Sequence, residues 1–433
     1  MAMTQTPGNE CGTTRLRRGG IWCVLLAASA VIPWLAGCDK LPKTSDFLNK
    51  AEKKEEPKPA AAAPQAAPTQ APMTSRPAPA PVVKKRTPQE VLGDFNRTQP
   101  EQKTDALLSE LAQMEDGQDQ VTKVNLRQSQ VTDTGLKHLE KLDAVTDLDL
   151  GAVGFSNAGL QSVASMKNVE TLSLESTPAA ARAGSTDPEA RFLDSGLARI
   201  KQMPKLRSLR LDRARFSQKG LSEGAQMADL EELYLESTGL SDESLEQIKG
   251  LQNLRVLKIS DNPRITDKAF LILAELKNLE SLDISRTPVD GHTMEEVRKG
   301  KGLAKLTYLS VAFTKWGDRG MMAVQKTNTL EYLDLGDTNV NDNNLRGVKP
   351  LKNLQHIYLH QLENVTDAGM VNLASLKELR TIYLNKTRGV SDQGLTRFAG
   401  LKKLERLVIT ETSCTEAGVR NLKKKLPDVS IEK

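Results

Sequence analysis

The chain is poor in the residues that build compact cores and catalytic centres. Aromatic residues make up 4% of its 433 positions, so burial has to come from aliphatic side chains and a large globular core is not expected. Four histidines occur, His138, His292, His356 and His360, and four cysteines, Cys11, Cys23, Cys38 and Cys414. His356 and His360 fall on one side of an alternating segment, but four residues of strand span about 13 Å, too far for one shared ion. No glycine-rich phosphate loop, zinc-ligand spacing or Ser-His-Asp arrangement stands out. The expectation is a protein without catalytic activity, cofactor or metal. Charge of one sign is missing as well: 60 Lys and Arg against 55 Asp and Glu leave a net charge of +5. Nucleic acid calls for a concentrated basic face, so no nucleic-acid partner is expected. The apolar run from Ile21 to Leu35 is too short for a membrane span.

What the chain has instead is repetition. One phrase restarts at Val121, Val145, Val169, Leu206, Leu230, Leu254, Leu279, Leu306, Leu330, Leu354, Leu379 and Leu404, and nine of the eleven intervals are 24 or 25 residues. A fixed period of that size marks stacked coils, in which each unit buries its apolar edge only against its neighbours. Such a chain offers a long surface and no enclosed pocket. It is suited to holding something rather than transforming it.

In the copy starting at Leu330, Leu330, Leu333 and Leu335 point one way while Tyr332 and Asp334 alternate to the other, the period of a short strand. Thr338 follows, in a slot also filled by Thr177, Thr238, Thr287, Thr314, Thr387 and Thr412. These are expected to be buried hydroxyls bonded to a neighbouring turn. A helix start comes next: VTDTGL (Val131–Leu136), ITDKAF (Ile265–Phe270), VTDAGM (Val365–Met370) and VSDQGL (Val390–Leu395). Thr or Ser caps the helix, and the aspartates Asp133, Asp242, Asp267, Asp367 and Asp392 are read as complements to its positive end, not as a catalytic set. Cys414 occupies the slot of Val131 and Ile265 and reads as a small core residue.

This pattern resembles leucine-rich repeats of the cysteine-containing subclass, with threonine where that subclass carries cysteine. The resemblance covers residues 121–433. It implies an α/β horseshoe-shaped solenoid, with a parallel β-sheet on the concave face and helices on the convex face. Cysteine-containing repeats are common in the substrate receptors of eukaryotic ubiquitin ligases, but here a lipid signal and tether stand where an F-box would be. The third repeat carries an insertion, Pro178 to Arg191, read as a rim loop that is mobile or part of the binding surface. The seventh is stretched around Gly300 to Leu303. Residues 87–120, with Thr87-Pro88 as a helix entry and a second helix from Thr104 to Met114, form an α-helical cap on the first repeat. The terminal strand, Val429 to Ile431, ends in charge, which discourages further strand addition.

The front of the chain is not part of that fold. Arg15, Arg17 and Arg18 precede the apolar run, which ends in Leu35-Ala-Gly-Cys38, the layout of an export signal over residues 1–37. The last four residues resemble the lipobox of bacterial lipoproteins, which implies lipid on Cys38 and a protein held to a cell-envelope membrane, facing the periplasm or the exterior. Cleavage there leaves Cys414 as the one free thiol and no intramolecular disulfide. Residues 38–86 are dense in Pro, Ala and Lys and read as an unfolded tether, up to roughly 150 Å long at about 3.1 Å per residue. Lys84, Lys85 and Arg86 read as a solvated charge run.

Register sorts the side chains, and the sharpest signal lies there. All five tyrosines, Tyr234, Tyr308, Tyr332, Tyr358 and Tyr383, take outward-alternating strand positions, and His356 and His360 flank Tyr358. With Asp334 they form the candidate partner-binding set, because tyrosine offers broad contact with a polar tip at low entropy cost. Acidic positions on the same face slightly outnumber basic ones. The expected partner is a protein or peptide with basic features, bound by a monomer. The alternative is a carbohydrate or cell-wall polymer stacked on the tyrosines.

Overall fold

The computed structural model describes residues 86–114, 116–175, 193–299 and 303–433. The export signal, Cys38, the tether up to residue 85, Thr177, the 178–191 insertion and residues 300–302 lie outside the described residues. Among the described residues no helix is long and apolar enough to cross a membrane.

Thirteen three-residue strands pair in parallel, in chain order, as one open sheet. They are β1 (Lys123–Asn125), β2 (Asp147–Asp149), β3 (Thr171–Ser173), β4 (Ser208–Arg210), β5 (Glu232–Tyr234), β6 (Val256–Lys258), β7 (Ser281–Asp283), β8 (Tyr308–Ser310), β9 (Tyr332–Asp334), β10 (His356–Tyr358), β11 (Thr381–Tyr383), β12 (Arg406–Val408) and β13 (Ser430–Glu432). The register never slips. Leu282, Leu309, Leu333, Ile357, Ile382 and Leu407 stand side by side as middle residues. With a side-chain period of two, that alignment sends every middle residue into the core and both flanking residues to the solvent face. In one repeat Leu330, Leu333, Leu335, Leu345 and Val348 are all 0% exposed. Each such side chain stabilises by about 2 kcal/mol, yet a single 24-residue coil cannot hide them without a neighbour.

The first end is closed by α1 (Pro88–Arg97) and α2 (Asp105–Ala112), which bury Phe95, Leu108 and Leu111. Thr87 caps α1 through a reciprocal bond with Glu90. Arg86, expected among solvated charges, donates to Glu110 at 2.6 Å and also meets Asp94. At the other end, β13 falls one residue later than expected.

The hydroxyl column is present. Thr238, Thr287, Thr314, Thr338 and Thr412 each donate to the carbonyl three residues earlier, at 2.6–2.7 Å. Thr387 instead reaches back to Leu359 of the preceding repeat, at 2.6 Å.

Asp133, Asp242, Asp367 and Asp392 lie in the first turns of their own helices, as expected, and do something more. Thr132, Ser156, Thr366, Ser391 and Thr415 cap their helices as expected, and the aspartate carboxylates also reach the next repeat. Asp133 accepts the Ser156 N–H at 2.7 Å and its hydroxyl at 2.6 Å. Asp242 does the same for Thr266, Asp342 for Thr366 and Asp392 for Thr415. Asp367 accepts Ser391 N–H and Oγ–H at 2.8 and 2.5 Å and adds Gly394 N–H at 2.8 Å. The cap starts with Asp105 clamping Thr132. The carboxylates form a ladder of inter-repeat clamps along one edge of the solenoid. Asn157, in the same slot, makes no such clamp: its Oδ1 is buried without a hydrogen-bond partner among the described residues, beside the repeat that carries the insertion.

A second recurring feature has no obvious sequence mark. Two residues beyond the last strand-side aliphatic, eleven non-glycine residues have φ between 50° and 64°, from Gln128 and Ala152 to Lys386 and Glu411. The left-handed conformation costs each about 1 kcal/mol. In return the amide N–H reaches a carbonyl of the next repeat, as in Arg286 to Ala312 at 2.9 Å and Phe313 to Gly336 at 2.8 Å. The parallel ladder is thereby extended past the strand.

Candidate functional site

The register puts seven of the eight candidate residues on one patch of the solvent face. Tyr308, Tyr332, His356, Thr381 and Arg406 form one row; Ser310, Asp334, Tyr358, Tyr383 and Val408 form the next. Neighbouring strands lie about 4.8 Å apart, which is also the spacing at which flat rings stack. Tyr308 stacks on Tyr332 with centroids 4.1 Å apart and planes 14° off parallel. Tyr332 meets Tyr358 across the row boundary at 4.9 Å. Tyr358 stacks on Tyr383 at 4.4 Å and 11°. The result is a continuous zigzag of four phenol rings over β8–β11, with His356 against Tyr332 at 6.2 Å. Tyr332 and Tyr358 are therefore each flanked by a ring from either neighbouring strand, and the Tyr332 phenol also meets those of Tyr308 and Tyr358.

Asp334 and His360 lie beside this stripe. Asp334 accepts the Gly336 N–H at 3.0 Å and has His360 Nδ1 3.9 Å away. Burial pushes its carboxyl above the usual carboxylate range, opposed by the Gly336 N–H and His360. The His360 ring lies so close over Gly336 that any Cβ there would sit about 2 Å from it. The other side of His360 meets Phe313 at 5.8 Å, and Arg286 stacks on Phe313 at 4.0 Å.

Phe313 and Arg286 were not singled out from the sequence. Both occupy the left-handed slot, where Gln, Ser, Asp and Lys also occur, and an aromatic ring in that company was the available signal. Tyr234 does not join the stripe. It lies on β5, with β6 and β7 in between, under Arg210 at 4.1 Å, and donates to Glu232 at 3.1 Å. Around it the face is charged and largely self-paired, for example Arg127 with Glu175 at 2.8 Å; that bond holds the Glu175 carboxyl below its usual range.

Burial, then the Asp283 carboxylate, pushes the Tyr308 phenol up to about 12. Burial, then the Tyr308 and Asp334 neighbours, pushes Tyr332 up further; Tyr358 and Tyr234 are raised chiefly by burial. Folding thus disfavours the phenolate. The stabilisation from Tyr308 is complete below pH 10 and is lost as pH rises from 10 to about 12. Absorbance at 295 nm is expected to show a tyrosine phase near pH 12 that vanishes in Tyr308→Phe. Complete ionisation near pH 10 in the folded protein would refute the burial of that ring.

Asp267, Asp290 and His292 bring ligand-type atoms within 4.8 Å of one another. His292, which showed no partner in the sequence, meets Asp290 through Nδ1 at 2.7 Å. Asp267 accepts the N–H groups of Asp290 and Gly291 at 2.8 and 2.7 Å. This is the clamp onto the seventh repeat, with Asp290 in the slot that most repeats fill with Ser or Thr. Cys414 is buried in the core with its Sγ 3.7 Å from the Val390 carbonyl, and burial pushes its thiol up.

No protein-family model and no curated protein matches the chain. Among solved structures it is similar to an internalin of Listeria monocytogenes, at 18% identity and TM-score 0.43, over 76% of each chain. It is also similar to the functional domain of InlJ from Listeria monocytogenes, which includes a cysteine ladder, at 15% identity and TM-score 0.46, over 75% of this chain and 67% of that one. A leucine-rich-repeat protein of Leptospira interrogans matches at 16% identity and TM-score 0.37, over 77% of this chain and 100% of that one. The unbroken thirteen-strand register and the leucine columns identify the architecture as a leucine-rich-repeat solenoid.

Proposed function

We propose that this leucine-rich-repeat solenoid is a non-catalytic scaffold that binds a protein partner through the tyrosine stripe of β8–β11. The observation that carries the reading is the zigzag itself: four aromatic side chains packed on one another on a mostly polar face. Rings fixed before binding lose little entropy on binding, and tyrosine contacts of this kind dominate interface energies. The carbohydrate alternative needs free ring faces for sugar stacking, and the two central rings are each flanked by a ring on either side. A photoreactive residue at position 358 is expected to crosslink a protein species in intact cells. Recovery of envelope polymer alone would favour the carbohydrate reading; no captured species would count against any partner at this face.

The scaffold is proposed to be tethered to a membrane through lipid on Cys38 and to face the periplasm or the exterior. The support is the order of basic residues, apolar run and Leu35-Ala-Gly-Cys38, followed by the Pro- and Ala-rich stretch. Cys38→Ser is expected to move the protein from the detergent phase to the aqueous phase of a two-phase extraction. An unchanged distribution would remove the anchor.

A further inference from the structure

The two ends of the tyrosine zigzag differ. At the β11 end the Tyr383 ring has Arg406 over it, 5.3 Å from the centroid. Two more such pairs occur on this side of the solenoid, Arg210 over Tyr234 and Arg286 over Phe313, at 4.1 and 4.0 Å. At the β8 end, Tyr308 is stacked on its β9 side, and its β7 side faces Ser281, its register partner. Serine is too short to cover a ring, and no cation is stacked there among the described residues. In place of one stands a carboxylate, Asp283. Its Oδ1 accepts the N–H and hydroxyl of Ser285 at 3.1 and 2.6 Å, and it has no ion-pair partner among the described residues. Lys258, opposite Asp283 in register, leans the other way, over Tyr234 at 5.7 Å.

We infer that the partner bound at the stripe supplies a basic side chain, an arginine or lysine, that stacks on the open face of Tyr308 and pairs with Asp283. A ring face attracts a cation through its quadrupole, and an adjacent half-buried carboxylate adds a directed charge. Asp283 is fixed by Ser285, so the seat exists before binding. Asp283 is among the carboxylates that raise the Tyr308 pKa, in keeping with an unneutralised negative charge beside the ring. This inference rests on the protein-binding reading and names the chemistry at one end of it.

The test is fluorescence anisotropy on the full chain with three labelled hexapeptides: arginine, lysine, and alternating glycine and serine. The basic peptides are expected to bind at least about tenfold more tightly than the neutral one. Asp283→Asn and Tyr308→Leu are each expected to weaken them about tenfold. Asp147→Asn, an acid on β2 of the same face, should leave binding unchanged. Asparagine has the shape of aspartate, so the Asp283→Asn loss would not come from unfolding. Equal losses in Asp147→Asn and Asp283→Asn would mean diffuse attraction and overturn the seat, as would full binding by Asp283→Asn. A protein captured at position 358 together with indifference to the basic peptides would defeat the cation seat alone. Failure of both would defeat the protein-binding reading as well.

Discussion

Replacing Asp367 with alanine is expected to destabilise the protein by about 2–4 kcal/mol, and to do so unevenly along the chain. The carboxylate accepts three hydrogen bonds from the eleventh repeat, each charge-assisted, and its loss strands two backbone N–H groups at a helix start. Because a solenoid is held by nearest-neighbour terms, the damage should fall on one joint. Hydrogen exchange is expected to accelerate from Val390 to Lys433 and to stay unchanged before Leu330. A loss well under 1 kcal/mol, or exchange rising evenly throughout, would mean the clamp is ornamental. A coupled test follows from Gly394, where a Cβ would come 2.5 Å from Asp367 Oδ1. Gly394→Ala alone should cost on the order of 2–3 kcal/mol. In the Asp367→Ala background it should cost clearly less, since the atom it strikes is gone.

The second large effect concerns binding. Tyr332→Ala combined with Tyr358→Ala removes the two central rings and all three ring contacts of the zigzag. Each ring is a candidate hot spot worth about 2 kcal/mol or more, so capture at a photoreactive residue placed at position 381 should fall by roughly 100-fold or more. Each stacked pair also contributes about 0.5–1.5 kcal/mol to the fold, so a small drop in melting temperature is expected alongside. Tyr234→Ala, away from the stripe, should change capture little. A folded double variant with undiminished capture would sink the stripe as the binding surface.

Much of this was legible in advance because the relevant physics is local. Alternation with period two is a property of any strand, so Tyr308, Tyr332, Tyr358 and Tyr383 could be assigned to one face from spacing alone. The leucine columns and the threonine slot followed likewise. The second role of the aspartates was not legible. Asp133 sits in the first turn of its own helix, as the sequence leads one to expect, while the partner that bonds its carboxylate, Ser156, is 23 residues away. Nor did any residue type betray the left-handed slot that brings Phe313 to His360 and Arg286 over Phe313. That conformation is imposed by the need to hand an N–H to the next coil, and glycine was not recruited for it.

The sequence by itself determined that this is a stack of coils and which side of each strand faces solvent, because period and alternation are written along the chain. Only the tertiary structure decided which neighbours touch across coils: the zigzag of rings, the clamps from aspartates to the next helix start, and Ser281 and Asp283 beside Tyr308. Those contacts depend on how far one coil is shifted against the next. That shift is set by the summed packing of side chains about 24 residues apart, and no local pattern encodes it.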